Sequence, residues 1–403
     1  MTIRTAISVL TLGAFALGTQ AVAEPKYGPG ASDAEVRIGN TQPYSGPASA
    51  YGVNGKMMQA VIAKANAEGG INGRQITFLS YDDAYNPAKT LEQVRRLVEK
   101  DEVLFIGGAV GTAQNVSIQR YLNKKEVPHL LVLSGGKRWN DPENYPWTTA
   151  GAISPYVLEG YALGIHATQS TPGAKIAVLY QNDDLGKEYL QGLEQAVADT
   201  DAEIVRSLSF EVADPTVDNQ VISMEASGAD TVMVFGFPKA VAQTIRKAAD
   251  MGWQPARYIG SVGSVIQASL VPAGLENSIG IITTNTQHDA SDPDFQSTQA
   301  YADYIATIDT YYPEGEPTNG SVMLGYTTAH LMLDIIEAAG DDLTRENIMR
   351  VATTLSDVSA PMMLDGVPLM TSPDNHQLVR GIYLSRFNGE RYEQIGDLIR
   401  AQD

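Results

Sequence analysis

The 403-residue chain has no cysteine, so disulfides, thiolate nucleophiles and thiolate metal sites are all excluded and the fold must hold through its core. Histidine is scarce as well. His129, His166, His288, His330 and His376 are scattered without metal-ligand spacing and read as surface or structural residues, so no metal and no cofactor is expected. The chain lacks a G-x-S-x-G elbow, a G-x-x-x-x-G-K-[ST] phosphate loop and an H-E-x-x-H pair. Cations are few: 28 Lys and Arg face 47 Asp and Glu, a formal charge of −19. Such a surface repels nucleic acid and anionic lipid, and an anionic ligand must be held by local dipoles rather than by the overall field.

What is present begins with a leader. Met1 to Ala23 carries one cation, Arg4, then an apolar core from Ala6 to Leu17, then Ala21-Val22-Ala23, the small-x-small pattern of a secretory cleavage site. That core is too short to span a membrane, and no later stretch reaches about 18 uninterrupted apolar residues. No cysteine follows the cleavage site to carry a lipid anchor, so the expected product is a freely diffusing exported protein. Losing Arg4 with a leader that has no acid takes the charge from −19 to −20. The remaining residues, 403 minus 23, suffice for two domains.

From Glu35 onward the pattern alternates as in α/β proteins. Strands are expected over 36–39, 75–81, 103–106, 129–133, 175–180, 203–210, 231–235, 257–260 and 279–283. Helices are expected over 53–68, 87–99, 156–167, 187–200, 217–227, 238–251 and 325–339, with a further helix capped by Asp341 to Thr344. Asp82 to Pro87 leads a helix and then the strand ending at Gly107; Ala213 to Thr216 leads a helix and then a strand ending at Gly236. Two such βαβ units at equivalent points imply two similar lobes.

The organising corner is Val103 to Gln119. Its apolar run suits a strand buried on both faces, and Gly111, Thr112 and Ala113 leave the following helix start open to a small anion, although the turn lacks G-x-G-x-x-G. Other strand ends carry small or aromatic residues: Tyr44 to Pro47 with Tyr51, Ser134-Gly135-Gly136 with Trp139, Asn182 to Leu185, Phe235 to Phe237, and Ser261 to Gly263. In an open α/β sheet these loops converge on one cleft, and donors and rings without a nucleophile describe binding rather than turnover. Asp183 and Asp184 fit a helix cap as well as acid-base work.

These stretches carry a resemblance. Residues 45–90, 103–114, 175–193 and 214–241 resemble the periplasmic solute-binding proteins of ABC importers in the leucine/isoleucine/valine-binding family, over essentially the whole mature chain. Residues 135–148 and 361–390 are similar to the branch associated with aromatic carboxylates and other solutes. The resemblance implies an α/β fold of two Rossmann-like lobes with parallel-sheet cores, joined by three hinge crossings near Ala150, Ile282 and Val358. It thus implies one lobe of 24–150 plus 283–357 and another of 151–282 plus 358–403, closing on ligand like a hinge.

The resemblance further places a ligand carboxylate near Val110, Gly111, Thr112, Ala113, Ser134, Gly135 and Gly136, a pocket aromatic at Tyr51 and a hinge-side residue at Phe237, and on the strand-end reading given above Trp139 and Asp184 join the expected binding residues. This chain departs from the amino-acid binders in three places: Val262 stands where an acid pairs with the ligand ammonium, Leu185 replaces a tyrosine, and Phe237 replaces the hinge tyrosine. Burying an ammonium without an anionic partner costs several kcal/mol. The reading is therefore a monomeric, non-enzymatic binding protein for an aromatic or apolar carboxylate, serving a membrane permease. The alternatives are a branched-chain amino acid or amide/urea binder using Asp183, Asp184 or Asp289, a secreted α/β enzyme, and a ligand-sensor domain. N-terminal sequencing of exported material is expected to find Glu24 first; a retained Met1 would overturn the leader assignment.

Overall fold

The computed structural model describes residues 26–356, 358 and 360–401; the leader and the cleavage expected after Ala23 lie outside the described residues. Two sheets form the cores of two lobes. The first has five parallel strands in the order Gln75–Asp82, Glu35–Gln42, Phe105–Gly107, His129–Val132 and Thr148–Ala150. The second has seven, in the order Tyr392–Arg400, Gly381–Phe387, Ile282–Asn285, Ala256–Ile259, Thr231–Phe235, Lys175–Gln181 and Glu203–Phe210. Gly381–Phe387 runs antiparallel to both of its neighbours, and the other pairings of that sheet are parallel.

The central strands are apolar and buried because helices cover both faces of a parallel sheet. Phe105, Ile106, Leu130, Val132, Val178, Met233 and Phe235 are all buried. Helix starts follow local chemistry. Asn86 accepts from the backbone N–H of Ala88 and Lys89 with Pro87 in the first turn, and Thr344 accepts from the N–H of Asn347. The long helix Gly320–Ala339 packs over the first sheet so closely that a Cβ on Gly107 would lie 2.5 Å from Met332 Sδ.

Between the sheets the chain passes three times. It leaves the first sheet at Ala150 and enters the second lobe through the helix Tyr156–Ser170. Ile282–Asn285 is a full strand of the second sheet, so the return follows Asn285, and the boundary expected at 283 falls inside a strand. Residues 360–379 stay with the first lobe: Met362, Leu378 and Val379 join its core, His376 Nδ1 donates to the Thr148 carbonyl at 2.8 Å, and Ala150 N–H donates to the His376 carbonyl at 3.1 Å. The last passage is therefore at Arg380–Gly381 rather than near Val358. Residues 360–379 contain no helix or strand, and side-chain packing rather than periodicity decides which lobe holds them.

Strands at Thr148–Ala150, Gly381–Phe387 and Tyr392–Arg400 and the helix Gln299–Tyr311 add to the elements expected from the pattern. The final hairpin closes the open side of the second sheet.

His129, on a central strand, is fully buried. Asn115 Nδ2 donates to the carbonyls of Ala109 and Gly111, so its Oδ1 is the acceptor that faces His129 Nε2 at 2.7 Å, and the imidazole is neutral with its proton on Nε2. Burial pushes its pKa down to about 3. The unfolded chain takes up this proton below pH ~6.5 while the native chain refuses it, so stability is full above pH ~6.5 and falls as pH drops toward 3. From pH 6.5 to 5 the loss from this group is about 2 kcal/mol. Urea unfolding of His129→Gln is expected to show a pH dependence smaller by that amount. Equal slopes for the two proteins would contradict the assignment.

Candidate ligand-binding cleft

Parallel strands deliver all their carboxyl-terminal loops to one edge of each sheet, and here the two edges face each other across a cavity of about 180 Å³. The first lobe contributes Tyr51 and Asn54, the turn at Tyr85, the corner Val110-Gly111, and Asp289, Ser321 and Met323. The second contributes Tyr156, Leu185, Ser261 to Ile266 except Gly263, and Tyr392, while Ala152, Ser154 and Thr284 to Thr286 form the floor where the chain crosses.

Two first-lobe turns are held in costly conformations. Ala84 and Tyr85 sit at φ 50° and 57°, the left-handed region that non-glycine residues avoid at a cost of order 1 kcal/mol each. The preceding acids hold them there: Asp82 Oδ1 accepts from Ala84 N–H and Asp83 Oδ1 from Tyr85 N–H, both at 2.9 Å. Gln114 Nε2 donates to the Tyr85 carbonyl at 2.7 Å, and Thr90 Oγ1 to Asp83 Oδ2 at 2.9 Å. Gly111 is at φ +101°, and a Cβ there would lie 2.8 Å from the Tyr85 ring, so the two turns need each other.

Of the residues expected at the site, Tyr51, Val110, Gly111, Leu185 and Val262 line the cleft. Tyr51 Oη donates to the Val262 carbonyl at 3.0 Å, a hydrogen bond from one lobe to the other. Thr112 and Ser134 lie behind the wall, fully buried and hydrogen-bonded to each other at 2.8 Å, and Ala113 is half-buried beside them.

Tyr156 explains why. Its ring packs against Gly135, where a Cβ would lie 2.7 Å from Tyr156 Cδ1, and its own N–H donates to the Gly135 carbonyl at 2.9 Å. Burial pushes its phenol up to about 12, opposed by the Ser134 and Thr112 hydroxyls and the Gly135 N–H. The tyrosine thus closes the corner at which a ligand carboxylate was expected. Gly136 turns the chain into Trp139, which is buried with Val132 and Ala150 at the edge of the first sheet. Asp184 is exposed in an ion pair with Arg138 at 3.4 Å. Phe237 lies in a separate inter-lobe crevice that shares Tyr51.

Sequence reasoning missed Asn54, Tyr85, Tyr156, His288 and Tyr392. The pair Asp82-Asp83 before Tyr85 was the available signal, since Asp stabilises tight turns; nothing local marks the others.

Among the described residues lining the cleft there is no Lys or Arg. The carboxylate there, Asp289, is already committed: Oδ1 accepts from Ser291 N–H and Oγ at 2.8 and 2.6 Å, and Oδ2 from Tyr392 N–H at 3.1 Å. Burial lowers the pKa of His288, against the fields of Asp365 and Asp292, and its ring stacks on Phe295 at 4.2 Å. Asn54 Oδ1 is buried without a partner while its Nδ2 donates to the Tyr51 carbonyl. Asp183 is a helix cap, its Oδ2 accepting from Gln181 Nε2 at 2.6 Å and its Oδ1 from Gly186 N–H. Among the described residues no group of three or more His, Cys, Asp or Glu is placed to hold a metal.

A family model described as periplasmic binding protein matches residues 35–391. The chain is 20% identical over 329 residues to Leu/Ile/Val-binding protein homolog 7 of Brucella abortus, an alignment covering 78% of this chain and 80% of that protein. Among solved structures it resembles a branched-chain amino acid ABC transporter protein from Thermus thermophilus with bound valine, with TM-score 0.81 and 17% identity over 91% of this chain and 97% of that one. It also resembles a fatty acid ABC transporter substrate-binding protein from Thermomonospora curvata, with TM-score 0.75 and 18% identity over 94% and 95%.

Proposed function

We infer what this chain does from its membership: it belongs to the periplasmic binding protein family. Its family and fold are those of the substrate-binding components of ABC transporters, and its α/β architecture has their two lobes. Within that class we propose that it captures a small organic solute with an aromatic or apolar body and a carboxylate, and hands it unchanged to a membrane permease. It acts as a monomer, without a cofactor, outside the cytoplasm after loss of its leader. Asp183 and Asp184, the residues an enzyme reading would use, serve as a helix cap and in a surface ion pair.

The observation that carries the ligand class is the cleft wall. Tyr51, Tyr85, Tyr156, Leu185, Val262 and Met323 present rings and aliphatic carbon, and Asp289 is spent on three donors. An α-ammonium buried there without an anionic partner costs several kcal/mol, against about 8 kcal/mol for a whole micromolar affinity. An apolar cavity of about 150 Å³ holds benzene, so about 180 Å³ suits a single ring with a short substituent. With the Thr112–Ser134 corner closed by Tyr156, the carboxylate is held by neutral groups of the cleft such as Ser321 and His288. A branched-chain amino acid is the second reading, favoured by the names of the relatives.

A thermal-shift panel on protein stripped of ligand by unfolding and refolding separates the two. Benzoate and phenylpropenoate are expected to raise the melting temperature where leucine, isoleucine and valine do not, by the equivalent of about 2.7 kcal/mol at a hundred times the dissociation constant. Val262→Glu is expected to weaken the aromatic acids by placing an anion in the cleft. A shift with leucine and none with either aromatic acid would overturn the ligand class and leave the transport role standing.

A further inference from the structure

Glu159 is fully buried on the first turn of the helix Tyr156–Ser170, one layer beneath the cleft floor, and the ligand reading makes no use of it. Its carboxylate receives five hydrogen bonds from four separate segments. Oε1 accepts from the Ser154 hydroxyl and from Ser261 Oγ at 2.8 Å; Oε2 accepts from Tyr189 Oη at 2.7 Å, from Ser261 N–H at 2.9 Å, and from the Thr284 hydroxyl. All five donors are neutral, and no ion pair among the described residues involves it. A carboxylate without a cation survives burial only when its lone pairs are filled, and here they are.

The positions of the donors matter more than their number. Ser154 lies on the first passage between lobes and Thr284 on the strand that leads into the second. Ser261 opens the turn whose next residue, Val262, accepts the hydrogen bond of Tyr51 from the opposite lobe. Ser154, Ser261 and Thr284 all face the cleft. One buried side chain therefore joins two of the three hinge segments to the turn on which the lobes meet.

We propose that Glu159 is the positioning residue of the hinge: it locks Ser154, Thr284 and the Ser261–Gly263 turn into one rigid unit, so that the turn is carried to Tyr51 whenever the crossings flex. The inference rests on the two-lobed fold and is independent of which solute binds. Glutamine fits the same place, because its Nε2 at the Oε1 position donates to two hydroxyls that can turn to accept, while its Oε1 keeps the Ser261 N–H. Alanine strands all five donors.

Hydrogen exchange on the ligand-free mature chain tests this without any ligand. In Glu159→Ala, peptides spanning 260–266 and 282–286 are expected to exchange about tenfold faster or more, while the sheet strands Lys175–Gln181 and Thr231–Phe235 keep their protection and Glu159→Gln stays near the parent. Should Glu159→Ala fail to fold, Ser154→Ala and Thr284→Val each remove one donor and are each expected to raise exchange at Ser261. An even loss of protection across the second lobe, or an unchanged Ser261 turn in these variants, would overturn the proposal.

Discussion

In the two main sheets every pairing of one strand with another between Glu35 and Asn285 is parallel, and a parallel sheet can offer a ligand only the loops beyond its carboxyl ends. Two such edges set face to face leave a cleft whose walls come from turns and helix starts. Bonds from lobe to lobe include Tyr51 Oη to the Val262 carbonyl at 3.0 Å, Gln267 Nε2 to Thr318 Oγ1 at 2.7 Å, Tyr392 N–H to Asp289 Oδ2 at 3.1 Å, Lys137 N–H to Glu188 Oε2 at 2.9 Å, Lys137 Nζ to Gln191 Oε1 at 3.0 Å, Tyr156 N–H to the Gly135 carbonyl at 2.9 Å and the Arg138–Asp184 ion pair at 3.4 Å.

The walls of the cleft are shaped in advance. The left-handed pair Ala84-Tyr85 costs conformational energy, and Asp82, Asp83 and Gln114 repay it with hydrogen bonds that leave the Tyr85 ring fixed against Gly111. Beneath the same corner, neutral His129 orients Asn115, which holds the carbonyls of Ala109 and Gly111. On the other side Glu159 does for Ser261 what Asp83 does for Tyr85. Buried polar groups thus set the two faces, and the cleft between them is lined by rings and aliphatic carbon together with hydroxyls such as Ser261, Thr284 and Ser321.

Sheet strands with continuous apolar runs, such as Thr231–Phe235, and helices with strong start signals, such as Asn86-Pro87, were legible because burial and capping write themselves into adjacent residues. Thr148–Ala150 was not: three small buried residues carry no period. The lobe to which residues 360–379 belong was equally hidden, since it turns on contacts such as His376 with Thr148 that join positions 228 apart. At the site, strand ends pointed to Tyr51, Gly111, Leu185 and Val262, and the family resemblance added Val110. The burial of Thr112 and Ser134 depends on Tyr156, whose place over Gly135 is fixed by how the lobes cross, and no sequence period encodes that.

The central claim is that this inter-lobe cleft holds a small organic molecule and returns it intact. Native mass spectrometry of the chain purified without refolding, followed by denaturation and identification of what is released, addresses it most directly. The account requires one small molecule bound per chain, with an aromatic or apolar body and no α-ammonium group, recovered chemically unchanged after prolonged incubation. Release of a free α-amino acid would contradict the reading of the cleft, and a molecule altered by the protein would contradict the binding role itself.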